Sequence, residues 1–177
     1  MRANRERGAH GTENASSCSG PNGERVFSVE FPIRSSLSKG ALSARSGVAW
    51  APTLNEYNGL EPWQKALLRK AIDWQIASEL PKWPRWRAGF SEEADVFKGK
   101  LRIKRIGGHK RVVNVTRESS KEPDEPGSAD SVGGKAPLDR LVHAGVLVDD
   151  STKWITRSAS WKKVARGSGR VIIDVWE

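Results

Sequence analysis

The chain has 177 residues, a formal net charge of +9 and an isoelectric point near 10.0. That length suits one domain with a sizeable core, and that charge favours a polyanionic partner, either nucleic acid or an anionic membrane surface. A single cysteine, Cys18, excludes an intramolecular disulfide and a thiol-rich zinc site, and no stretch approaches the roughly 20 apolar residues of a bilayer span. The N-terminal arginines precede no apolar run, so no secretory signal is expected, and the composition suits a reducing cytoplasm.

Residues 1–25 are rich in Gly, Ser, Asn and Arg without apolar periodicity, which predicts a disordered arm ahead of one domain over 26–177. In VFSVEFPI, Phe27, Val29, Phe31 and Ile33 alternate with polar residues and proline, the period of a half-buried strand. A loop with a short extended piece around Val48 and Trp50 leads to a helix from Leu60 to about Glu79. Its expected core stripe is Leu60, Trp63, Leu67, Ala71 and Trp74, widened by Leu68, Ile72 and Ile76. Pro62 fits the first turn, where its missing N–H costs little, and Pro81 ends the helix. The Trp/Arg/Pro-rich stretch PKWPRWRAGF then reads as a loop.

LRIKRI and RVVNVTR, separated by Gly107-Gly108, predict a hairpin. Its solvent face would carry Lys100, Arg102, Lys104, Lys110 and Arg111, and such a ribbon suits a phosphate backbone as well as plain solvent. After an acid-, Ser- and Gly-rich loop over 119–134, KAPLDRLVHAG predicts a short helix with Leu138, Leu141 and Val142 inward and Gly145 as its cap. VLV reads as a short strand, and TKWIT and RVIIDVW as two more. Of the 8 tryptophans, Trp83, Trp86, Trp154 and Trp161 sit beside Arg and Lys, where indoles either cover core edges or stack on unpaired bases.

The stretch with chemical content runs from Lys135 to Ser151, ends in Asp149-Asp150, and follows a loop holding Asp124 and Asp130. Hydrolysis of a phosphodiester at neutral pH calls for carboxylates that hold hard cations, with a lysine close to the developing charge. Adjacent Asp149 and Asp150 also suit a turn, and Lys135 and Asp139 also suit an i, i+4 ion pair. In an extended segment the two aspartates point to opposite faces.

Lys135-x-x-x-Asp139, Leu141, Ala144-Gly145 and Asp149-Asp150 resemble, in type and spacing, a block of the RusA-type Holliday-junction resolvases of phages and prophages. The resemblance extends more loosely over Val26 to Glu177. It implies a mixed α+β (α/β) single domain, a mixed sheet flanked by helices, acting as a homodimer on branched DNA such as four-way junctions. It implies Mg²⁺ or Mn²⁺ held by Asp130, Asp149 and Asp150, with Lys135 assisting at the scissile phosphate. The family's D-x-D-N motif is incomplete here: Asp130 takes the second aspartate's place and Ser128 falls where the first belongs, with Asp124 a candidate to fold back in its stead. The implied function is a metal-dependent, structure-specific endonuclease of recombination, repair or phage DNA processing. The alternative is a DNA-binding relative with weakened or lost catalysis.

Overall fold

In the computed structural model, which describes residues 23–37 and 48–177, the first strand is β1 (Arg25–Pro32). Most of the expected disordered arm lies outside the described residues. Its last residues do not fit that expectation: Glu24 exchanges backbone hydrogen bonds with Glu177, and Arg25 already belongs to the strand. The alternation in β1 does what its period requires, burying Phe27, Val29 and Phe31 and leaving Glu30 exposed.

Two helices follow. The short α1 (Leu54–Asn58) starts with a capping box in which Thr53 accepts from Glu56 N–H and Glu56 accepts from Thr53 N–H. The long α2 (Pro62–Glu79) has Pro62 in its first turn, as its φ preference favours. Only Leu68, Ala71, Ile72 and Ile76 of α2 are buried. Trp63, Leu67 and Trp74, expected in the core, are 56%, 43% and 74% exposed. The helix packs chiefly against α3, β1 and the turn at Leu80–Lys82, and that contact arc is narrower than the apolar stripe the sequence offers.

The hairpin differs from expectation. It is formed by β2 (Phe90–Phe97) and β3 (Lys100–Gly107), turning at Lys98 and Gly99, both at positive φ as the tightest two-residue hairpin demands. Gly107-Gly108 is instead the corner between this ribbon and β4 (Arg111–Ser119). At Gly108 (φ +104°) an added Cβ would stand 2.6 Å from a Val148 methyl and 3.0 Å from the Ala88 carbonyl oxygen, so only glycine fits.

β4 enters the main sheet, ordered β1-β6-β4-β5, where β6 is Arg170–Trp176 and β5 is Ile155–Lys163. β6 runs antiparallel to β1 and β4, whereas β4 and β5 are parallel. A parallel pair needs a long crossover, and α3 (Lys135–His143) sits within it. One face of the sheet contributes Phe27, Val29, Phe31, Val113, Val115, Ile155, Val171, Ile173 and Val175 to the core, with α2 and α3 supplying Leu68, Ile72, Ile76, Leu138 and Leu141. Arg140 of α3 grips Asp73 of α2 through two hydrogen bonds of 2.6 and 2.7 Å, fixing the helix pair. The result is a mixed α+β domain with helices beside a sheet. Among the described residues no helix is long and apolar enough to cross a membrane.

The stretch Val146-Leu147-Val148 is buried but is not a strand, contrary to expectation. Its carbonyls need partners all the same. Arginines supply them: Arg111 donates to Val146 at 2.6 Å, and Arg105 to Leu147 and Val148 at 3.3 and 3.1 Å.

Candidate functional site

The acidic loop is held down on β4 by small residues. Val132 is fully buried, and at Gly134 a Cβ would lie 2.7 Å from the Ala129 carbonyl oxygen and 3.2 Å from Val115. This close approach sets Lys135 at the start of α3, directly after the loop. Lys135 Nζ lies 3.1 Å from Asp139 Oδ1 and 3.7 Å from Asp150 Oδ2. Arg157 on β5 approaches the same Asp150 Oδ2 at 3.6 Å and also donates to the Asp150 carbonyl. Two cations thus flank one carboxylate brought from 15 residues away along the chain.

Asp139, hydrogen-bonded to Lys135, holds the lysine's pKa above its ordinary value; burial opposes this, and the charges of Asp150 and Asp130 add to it. Lys135 is therefore a fixed cation, suited to stabilising negative charge on a phosphate and unsuited to accepting a proton. Asp130 contributes to that field, and its Oδ1 is buried with no hydrogen-bond partner.

The four aspartates of the expected metal cluster occupy three places. Asp150 lies beside Lys135, and Asp130 is near enough to add to the field on that lysine. Asp149 turns away, its Oδ1 accepting the Ser151 N–H at 2.7 Å, and lines a groove against the β2–β3 ribbon. Asp124 lines another groove, with Glu125, Thr53, Asn55 and Ser131. Among the described residues no three His, Cys, Asp or Glu side chains are grouped to hold a metal. An orphaned carboxylate oxygen on Asp130 is nonetheless what a hard cation would satisfy, and Mg²⁺ accepts one or two carboxylates with water and phosphate oxygens completing its shell. Asp130 and Asp150 fit that requirement in donor chemistry.

The expected DNA contacts divide more sharply. Lys100, Arg102 and Lys104 do share one face of the ribbon, because they alternate along β3. Their cross-strand neighbours on β2 are partly acidic: Asp95 opposes Arg102 and Glu93 opposes Lys104. Arg102 bonds Asp95 at 2.7 and 2.8 Å, which holds the Asp95 carboxyl below its ordinary value. Lys110 is exposed beyond the ribbon. Arg111 corrects the sequence reading, being 1% exposed. Its guanidinium donates to the carbonyls of Arg85, Trp86, Arg87 and Val146 and to the Glu177 carboxylate, so it is a buried clamp with no surface to offer DNA. Burial lowers its pKa and Glu177 partly restores it.

Arg157 and Arg105 escaped the sequence reading. The available signal for Arg157 was its place two residues after Ile155, a cation on the core-facing side of a strand. The chain matches no protein-family model, and no curated protein is significantly similar to it.

Proposed function

We propose that this protein is a metal-dependent endonuclease acting on branched DNA, with its chemistry centred on Lys135 and Asp150. The observation that carries this reading is the approach of Lys135 to Asp150, two residues of the block that resembles RusA-type resolvases. A divalent ion held by Asp130 and Asp150 would lower the pKa of a bound water and neutralise charge on the phosphate. Lys135 contributes a permanent positive charge to the scissile phosphate, while Asp139 restrains its ammonium and Arg157 restrains Asp150. The net charge of +9 draws the DNA in, and a homodimer would present two such sites to symmetric strands. The exposed stripe of Trp63, Leu67 and Trp74 on α2 supports self-association.

The test is incubation of the purified protein with a labelled four-way junction and Mg²⁺ or Mn²⁺. Paired nicks near the branch are expected, and Asp150→Asn should reduce their rate by about 10²-fold or more. No nicking under any metal condition, or nicking indifferent to Asp150→Asn, would refute it. A second reading, junction binding without cleavage, is favoured by the two cations already seated on Asp150. Salt-sensitive binding with neither nicking nor metal-dependent stabilisation would establish that reading instead.

A further inference from the structure

The groove that Asp149 enters has a volume of about 550 Å³ and is unlike the site around Lys135. Its walls are the base of the β2–β3 ribbon on one side and residues 142–154 on the other. Ile103, Val142, Val148 and the Trp154 indole make it apolar in part; its charged lining is Arg102, Lys104 and Arg105 with Glu92 and Asp149, of which Arg102 is paired with Asp95 and Arg105 with Glu92.

Both walls are fixed. Arg105 ties the ribbon to the body by donating to the carbonyls of Val142, Leu147 and Val148, and its guanidinium lies 4.3 Å from the Phe90 ring centroid. Trp154 is held by its own backbone, which donates to Ser151 and accepts from Arg111. The groove is therefore formed before any ligand arrives. Lys104 has no ion-pair partner among the described residues, and Asp149 Oδ1 alone is taken by Ser151.

We infer that this groove receives an unpaired nucleotide of the DNA strand, its base against Trp154 and its phosphate at Lys104. A nucleobase has apolar faces and a polar edge, which matches an indole with aliphatic neighbours and the Asp149 carboxylate, Glu92 being paired with Arg105. Base–indole stacking tolerates any sequence, while a carboxylate accepts only from donors and so favours bases with an exocyclic amine over thymine. Lys153 now lies 4.9 Å from the Trp154 ring centroid, and an exposed cation–π contact of this kind is weaker than stacking by a base, so the lysine yields the ring and meets a phosphate. Asp149 lines the groove while its neighbour Asp150 meets Lys135 and Arg157, so the groove and the Lys135 site meet at one corner of the backbone. A strand crossing that corner presents a base to one and a phosphate to the other. This inference rests on the DNA reading above and adds that unpaired bases, rather than duplex alone, are what the protein selects.

The experiment uses the full chain with a four-way junction, a gapped duplex and an uninterrupted duplex, each carrying 2-aminopurine at the branch, the gap or the matching position. Anisotropy gives affinity and 2-aminopurine emission reports stacking. The expected result is quenched emission with the junction and gap only, and a loss of about tenfold in their affinity on Trp154→Leu with duplex affinity unchanged. Thermal denaturation checks that this variant folds; should it not, the exposed groove variant Asp149→Ala must show the same selective loss. Equal affinity for all three DNAs without quenching overturns the groove assignment and leaves DNA binding standing. No binding to any DNA at low salt overturns both.

Discussion

Arg111→Met removes a guanidinium that satisfies four backbone carbonyls and one carboxylate while keeping most of the aliphatic bulk. The Val146 carbonyl is fully buried, so losing its donor costs about 1–3 kcal/mol. The carbonyls of residues 85–87 and the Glu177 carboxylate are partly exposed and recover water, at a cost of roughly 0.5–1.5 kcal/mol each. Against this stands the relief of burying a charge, evident in the downward pull of burial on the arginine's own pKa. The net expectation is a loss of about 3–5 kcal/mol, a large share of the roughly 5–15 kcal/mol that stabilises a domain. Arg111→Lys should lose less, since one ammonium reaches some of these acceptors but cannot bridge them all. Urea unfolding followed by tryptophan fluorescence measures the difference, with the midpoint falling and the slope unchanged. Lys110→Met, one residue earlier and exposed, should change stability by no more than about 0.5 kcal/mol. A loss below about 1 kcal/mol for Arg111→Met would refute the clamp, and more decisively so if DNA affinity dropped selectively.

Replacing Lys100 and Lys104 together by Ala should weaken DNA binding across all sequences and reduce the slope of log affinity against log salt by about 1–2. Arg102→Ala should change that slope less, because Asp95 already neutralises the arginine; filter binding across a salt series compares them. Leu67→Ser with Trp74→Ser should shift sedimentation toward the monomer without lowering monomer stability, since both side chains face solvent in the isolated chain; an unchanged oligomeric state would exclude α2 as the contact. Glu118 has its carboxyl held below the ordinary value, chiefly by the hydrogen bond from Arg170 and further by Lys162. Its contribution to stability is therefore complete above the unfolded carboxylate pKa and is lost as pH falls through the folded one. Glu118→Gln should flatten the acid limb of the stability curve, and an acid limb identical to the parent would contradict this.

Local patterns in the sequence were sufficient for β1, α2, α3 and β6, because each carries a clear period of two or of 3.6 and a boundary residue such as Pro62 or Gly145. The ribbon's pairing has no local signature that distinguishes it. Gly107-Gly108 and Lys98-Gly99 are both acceptable turns, and β3 had suitable partners on either side. Its choice of β2 depends on β4 gaining more by entering the main sheet between β6 and β5. The same decision reversed the role of Arg111, which sits on the face that carries Val113 and Val115 into the core.

For the site, the spacing from Lys135 to Asp150 was legible as a pattern, since both belong to one helix-and-turn unit. By itself the sequence determined the basic character, the strand and helix periods, and the residue types able to handle a phosphate. Only tertiary structure decided that Asp149 and Asp150 face different sides, that Arg157 comes to Asp150 from a neighbouring strand, and that Asp124 lies in a separate groove. The physical reason is common to all three. A carboxylate's partner is set by which backbone carbonyls and cations the packed chain brings near it, and that depends on contacts between elements far apart in sequence.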